Sequence, residues 1–424
     1  MIESKKEILL RRISEYDIEP SKYWSDKDFV LEVVKTYGNV LEYVSDELKA
    51  DREFVLKALQ SDYRGNTDQT VFEFISDELK ADRDIVLEAV KYRGKALVHA
   101  PNNFKNDREI VLQAVQTSYL ALDYASDELK ADREVVLEAV RNYGLALKYA
   151  SNELKADREV VLDAVKTYGK ILEYVSDELK ADREVVLKAF KSEYIGHEDK
   201  TVFQFVSDEL KADREVVLEA VKSDWKTLEH VSDKLKADRE VVFEAVKSCG
   251  YVLKYASDKL RTDREIVLEA VKNFGYILEY ASDELRADRE IVLEAIRFDG
   301  EAVKFAAYEL KTNREFVLEM VTENGDVLLY VFDGIEVDRE IVLEAVKSSG
   351  VVLDRVATDV LKADREVVLE AVRNSGSCLH EASDELKADR EIALEAVKNR
   401  GWALEYASNE LRADREIVLE AVRN

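Results

Sequence analysis

Apolar positions along the chain fall into one arrangement that recurs every 25 residues. With Asp132 taken as slot zero, Val135, Val136, Leu137, Ala139 and Val140 occupy slots 3, 4, 5, 7 and 8, while Glu134, Glu138 and Arg141 occupy slots 2, 6 and 9. At about 100° per residue the apolar slots span roughly 200° of a helical wheel and the charged slots one narrow strip. An arc that broad needs neighbours on three sides, so it predicts an inner helix of a stack rather than a lone surface helix. Ala146, Leu147, Tyr149 and Ala150, at slots 14, 15, 17 and 18, predict a second, shorter helix. Ser151-Asn152-Glu153-Leu154-Lys155 then reads as a turn, its leucine directed inward, leading to the next repeat at Asp157.

Equivalent starts fall at Asp26, Asp51, Asp82, Asp107, Asp132, Asp157, Asp182, Asp213, Asp238, Asp263, Asp288, Asn313, Asp338, Asp364, Asp389 and Asp414, sixteen in all, with two steps of 31 residues and one of 26. Asp at slot zero is a strong N-cap, because its carboxylate accepts the free N–H groups of the first turn. The acid two places later suits the positive end of the helix dipole. Lys or Arg at slot 9 and Gly at slot 12 are helix-end signals that predict a left-handed glycine cap. Eleven of the fourteen glycines stand in that slot. No repeat can bury its own apolar surface, so stability must come from stacking on both neighbours.

The predicted fold is therefore all-α: an α-solenoid, a superhelical rod of about sixteen 25-residue two-helix repeats, on the order of 150 Å long at roughly 8 to 10 Å per layer. Residues 1 to 25 are expected to form an N-terminal capping helix and link, stopped by Pro20, and residues 26 to 424 a single array. Within the array, 51 to 181 and 182 to 312 read as duplicated five-repeat blocks, and the last repeat is incomplete.

The string Asp-Arg-Glu-Val-Val-Leu-Glu-Ala-Val-Lys, then Gly, then Ala-Leu-Glu-Tyr-Ala-Ser, resembles the short two-helix repeats catalogued as domain of unknown function 4116. The resemblance covers about residues 20 to 424 and rests on sixteen recurrences of the string. It implies α-solenoids of the kind found in bacterial and algal proteins, some similar to secreted effectors that carry such arrays beside other domains. It brings no catalytic residues with it.

Composition narrows the function classes. The chain has 424 residues, 90 acids against 63 bases, a formal charge of -27, and 46% hydrophobic residues, so it is no disordered acidic tail. Only 2 prolines and 14 glycines leave little material for β-turns. Binding to nucleic acid requires Lys and Arg to replace counterions, so DNA and RNA are not expected ligands. A basic protein partner is favoured by the same field. Cys249 and Cys378 stand 129 residues apart, which is neither a disulfide framework nor a metal spacing. With no apolar signal core and no run of 18 apolar residues, a soluble, cytoplasmic protein that crosses no membrane is expected; delivery into a host cell as an effector is the alternative.

Irregular positions carry the remaining information. Both 31-residue steps hold related insertions, 61 to 72 and 192 to 203, with Tyr63, Arg64, Tyr194, Ile195 and His197 as candidate contact residues. They read either as inherited loop length or as a paired binding element. The slots around the capping glycine vary most and hold Tyr37, Tyr92, Tyr143, Tyr168, Trp225, Tyr251, Phe274, Tyr276 and Trp402. These aromatics form a candidate partner-binding ridge, because rings give large contact area at low entropic cost; the other reading is that they pack on the adjacent turn. His99 and His230 replace the aromatic of slot 17 and read as packing residues. No catalytic residue, cofactor or metal ligand is expected, since the carboxylates are repeated on solvated strips and no phosphate-binding or nucleophile motif occurs.

The expected function is a noncatalytic protein–protein interaction scaffold, not an enzyme. The alternatives are end-to-end self-association through the uncapped last repeat, or an acidic mimic of nucleic acid that occupies a DNA- or RNA-binding protein.

Overall fold

The computed structural model describes residues 27–34, 41–42, 44–60, 71–192, 201–331 and 337–424. The N-terminal segment 1–25 and Tyr37, Tyr63, Arg64, Tyr194, Ile195 and His197 lie outside them. Among the described residues the regular structure is helical, with no β-strand. The chain forms two compact units, Met1–Leu210 and Lys211–Asn424, each an α-solenoid of tandem repeats.

The repeat that starts at Asp132 shows how the sequence builds the layer. Its inner helix, Arg133–Asn142, is capped as expected: the Asp132 carboxylate accepts the N–H groups of Glu134 and Val135 at 3.0 and 3.1 Å. Val135, Val136, Ala139 and Val140 are fully buried. In most repeats the slot-5 leucine, Leu162 for example, is only half-buried, so it forms the rim of the apolar arc.

The predicted second helix is present but is wound as a 3-10 helix, Gly144–Tyr149, with Ala146 N–H donating to the Tyr143 carbonyl at 2.8 Å. A three-residue period brings slots 12, 15 and 18 to one side, and Gly144, Leu147 and Ala150 are all buried. The expected turn is itself helical. Ser151 caps the four-residue helix Asn152–Lys155 by accepting the Leu154 N–H at 3.4 Å, and Leu154 is buried as its position predicts. Repeats that are described throughout, such as this one, therefore contribute three helical segments where two were expected. Ser151 also donates its own N–H to the carbonyl of Lys130 in the preceding repeat at 2.9 Å, a link repeated by Ser282 to Arg261 and by Ser408 to Lys387.

The left-handed cap expected at slot 12 is not formed. No slot-12 glycine from Gly94 to Gly401 takes a left-handed φ, and Tyr143 before Gly144 is extended at φ -145°. Close approach requires glycine instead. A Cβ on Gly144 would lie under 3.0 Å from the carbonyl oxygen of Ala164, the slot-7 alanine of the next inner helix. The same holds for Gly94 against Ala114, Gly275 against Ala295 and Gly376 against Ala396. At this junction the Gly144 N–H donates to Thr167 Oγ1, at slot 10 of the next repeat, at 2.8 Å. Serine and asparagine do the same work elsewhere: Gly325 N–H reaches Ser348 Oγ at 2.9 Å and Gly376 N–H reaches Asn399 Oδ1 at 2.8 Å.

Candidate functional site

Charge on the inner-helix face is largely paired. Slot-1 arginine reaches forward to the capping Asp and the slot-2 Glu of the next repeat: Arg158 to Asp182 and Glu184 at 2.8 and 2.5 Å, Arg214 to Asp238 and Glu240 at 2.7 and 2.6 Å, Arg339 to Asp364 and Glu366 at 2.7 Å each. The Arg158 guanidinium, above all, holds the Asp182 carboxyl below the usual carboxylate range, and Arg214, Arg239 and Arg339 do so for Asp238, Asp263 and Asp364. Slot-9 lysine pairs with slot-6 glutamate on its own helix, as in Lys247 to Glu244 at 2.6 Å and Lys398 to Glu395 at 2.7 Å.

The edge built by the short helices is different. Asp77, Asp127, Asp177, Asp258 and Asp283, all at slot 20, keep 94 to 101% of their side-chain surface exposed. Each is ion-paired with the lysine or arginine three residues on in its own turn, at 3.1 to 4.0 Å. A slot-21 acid follows in most repeats, and Glu128, Glu153 and Glu284 are exposed. This row was not singled out in the sequence, although the recurring Asp-Glu pair was readable there.

The aromatic ridge is a mixed surface. Tyr92, Tyr143 and Trp402 are exposed, Trp402 at 52%, whereas Tyr168, Trp225, Tyr251, Phe274 and Tyr276 are half-buried. Several rings pack on the neighbouring repeat: Tyr143 on Tyr119 with centroids 6.3 Å apart, and Tyr251 on Tyr276 at 6.2 Å. Lys254 Nζ donates to the Tyr251 hydroxyl at 2.6 Å and lies 3.9 Å from its ring centroid. Trp225 stands in the glycine slot itself, and there a turn followed by the α-helix Thr227–His230 replaces the 3-10 segment. Trp402 meets Tyr406 edge-on at 5.9 Å, and Tyr406 meets His380 at 4.9 Å.

Sequence reasoning missed a set of exposed apolar residues. Phe298 at slot 10 is 65% exposed and Val360 at slot 21 is 78% exposed; Tyr308 and Val351 are also at the surface. For Tyr308 and Val360 the signal was an apolar or aromatic residue in a slot that is polar or charged in most other repeats. The slot-17 exceptions are accommodated differently: His230, expected as a packing residue, is exposed, as is Arg355, because a polar side chain in this slot can turn to solvent. His99 is half-buried, and burial lowers its pKa against the opposing pull of Glu73, 3.7 Å away. Glu381, where a ring is expected, is held by Lys362 at 2.7 Å and by His380 Nδ1 at 2.8 Å. Cys249 and Cys378 are buried and free, and burial pushes both thiols up. Among the described residues no group of three or more His, Cys, Asp or Glu is arranged to hold a metal ion, and no helix is long and apolar enough to cross a membrane.

No curated protein matches the chain. The family model described as domain of unknown function (DUF4116) matches ten stretches: 26–80, 66–105, 82–130, 107–155, 157–197, 182–236, 238–286, 288–335, 338–387 and 389–424. These run through the same inner helix, glycine contact and capped short helix in both units, and the chain belongs to the DUF4116 family.

Proposed function

We propose that the chain is a noncatalytic protein-interaction scaffold that holds a basic partner along the edge made by its short helices. The observation that carries this reading is the row of slot-20 aspartates, which keep 94 to 101% of their side-chain surface exposed while the acids of the inner-helix face are tied to arginine and lysine. Carboxylates recurring along the edge of each unit raise local cation concentration and allow weak contacts to add, so affinity comes from multivalency rather than from a pocket. Exposed rings at Tyr92, Tyr143 and Trp402 would add contact area. The test is affinity capture followed by mass spectrometry, comparing the wild type with a chain in which Asp127, Asp177, Asp258 and Asp283 are changed to Ser. The expected result is loss of the captured basic proteins with an unchanged circular dichroism spectrum. Identical partner sets at the same ionic strength would remove the short-helix edge from the function.

A further inference from the structure

Repeats in the second unit are joined by a close glycine approach and an arginine rung, with a slot-10 clamp added from Gly325 onward, and one junction departs from the first two together. At the junctions on either side, Gly275 lies so close to Ala295 and Gly325 so close to Ala345 that an added Cβ would come under 3.0 Å from the carbonyl oxygen. Between the repeats that start at Asp288 and Asn313, slot 7 holds Met320, fully buried, where every other repeat from Asp51 onward holds alanine. A Cβ on Gly300 meets nothing closer than 3.1 Å, so the bulk of Met320 goes with a looser approach.

The arginine rung has moved as well. Asn313 keeps the cap, accepting the Phe316 N–H at 2.9 Å, but it is neutral. Arg289 pairs instead with Glu319 at 2.6 Å, its guanidinium 4.5 Å from the Phe316 ring centroid. The slot-10 clamp that Ser348, Asn374 and Asn399 supply at the three following junctions is not formed here, as it is not where Phe298 holds slot 10; Glu323 takes Arg297 at 2.8 Å instead. Asn324 Nδ2 donates to the Ile296 carbonyl at 2.8 Å and adds a neutral tie across the junction. The junction at the 26-residue step is a useful contrast. Its glycine contact is also relaxed, with Ala371 O at 3.0 Å from a Cβ on Gly350, yet it keeps the rung from Arg339 to Asp364 and the clamp from Gly350 N–H to Asn374 Oδ1 at 2.9 Å.

We infer that the junction between Arg289–Phe298 and Arg314–Glu323 is a salt-sensitive hinge within the second unit. Backbone close contact and a neutral clamp do not respond to ionic strength, whereas exposed ion pairs are screened by it. Two such pairs carry much of the polar linkage here, so this junction opens before its neighbours and opens further as salt rises.

Hydrogen exchange read by mass spectrometry on the full chain tests this. After correction for intrinsic rates, amides of Arg289–Phe298 and Arg314–Glu323 are expected to exchange about tenfold faster than those of Arg264–Val271 and Arg339–Ser348. The ratio should widen between about 0.05 M and about 0.5 M salt. Asn313→Asp with Met320→Ala restores the recurring residues and should bring the two helices to the level of their neighbours. Asn313→Asp alone, which leaves the core untouched and restores the acceptor of the arginine rung, should slow exchange in both helices at about 0.05 M salt and lose that gain at about 0.5 M. Equal protection at all three junctions, or a faster junction indifferent to both salt and Asn313→Asp, would overturn the hinge.

Discussion

Glycine in this array is a spacer between layers. Because the slot-12 residues are not left-handed, alanine there would carry no conformational penalty, and it would stabilise through the unfolded chain by about 0.4 to 1 kcal/mol if space allowed. At Gly144 space does not allow it: the Cβ would collide with Ala164 O, a backbone atom that moves only with its whole helix. Overpacking of this kind costs about 1 to 3 kcal/mol, so Gly144→Ala should lower the stability read from urea unfolding. At Gly300, where the nearest atom is 3.1 Å away, the same change should cost less than at Gly144 or leave stability unchanged. Equal losses at the two sites would contradict the close-approach argument. The partner residue can be tested separately. Thr167→Val removes the acceptor of the Gly144 N–H and leaves a buried donor unpaired, which costs about 1 to 3 kcal/mol. Thr167→Ser, which keeps the hydroxyl, should retain most of that stability in the same measurement.

At the scale of the element, one carboxylate does two jobs. Asp157 caps the helix Arg158–Thr167 through the N–H groups of Glu159 and Val160 at 3.0 and 3.2 Å, and it receives Arg133 at 2.9 Å. Asp157→Ala loses both roles, and the cap alone is worth about 1 kcal/mol. Asp157→Asn keeps the cap, as Asn313 does, so it should lose less in thermal unfolding and show a smaller dependence on salt. Elements of this length also explain what could be read in the sequence. The inner helix was legible because ten residues, as in Arg133–Asn142, sample the 3.6-residue period almost three times. The six-residue 3-10 segment and the four-residue short helix are too brief to display a period, although Ser at slot 19 followed by acids was an N-cap signal in plain view. The ridge residues were legible as slots, but their exposure was not. Whether Tyr143 projects or lies against Tyr119 depends on the turn of the neighbouring repeat, and wheel arithmetic does not contain that neighbour.

Across the whole molecule the charge of -27 and the arginine rungs pull stability in opposite directions as pH changes. Lowering pH from neutrality first protonates carboxylates of ordinary affinity, which relieves self-repulsion until the net charge vanishes near the isoelectric point of about 4.8. The capping aspartates behave otherwise. Asp182, Asp238, Asp263 and Asp364 are held below the usual range, first by their arginines, so each binds fewer protons when folded than when unfolded. The stability they supply is complete above the unfolded carboxylate value of about 3.9 and drains away as pH falls through the folded values. The two effects together place the maximum of thermal stability near pH 5 rather than at pH 7, with a steep fall below about pH 4. High salt should flatten the rise between neutrality and the maximum, because it already screens the repulsion that protonation removes. The acid limb should persist, since caps such as Asp182 also depend on a carboxylate that accepts backbone N–H groups in the first turn of its inner helix. Thermal unfolding followed by circular dichroism from about pH 3 to about pH 8 checks this, and stability that kept rising to pH 3 would show that the arginine rungs add nothing to the fold.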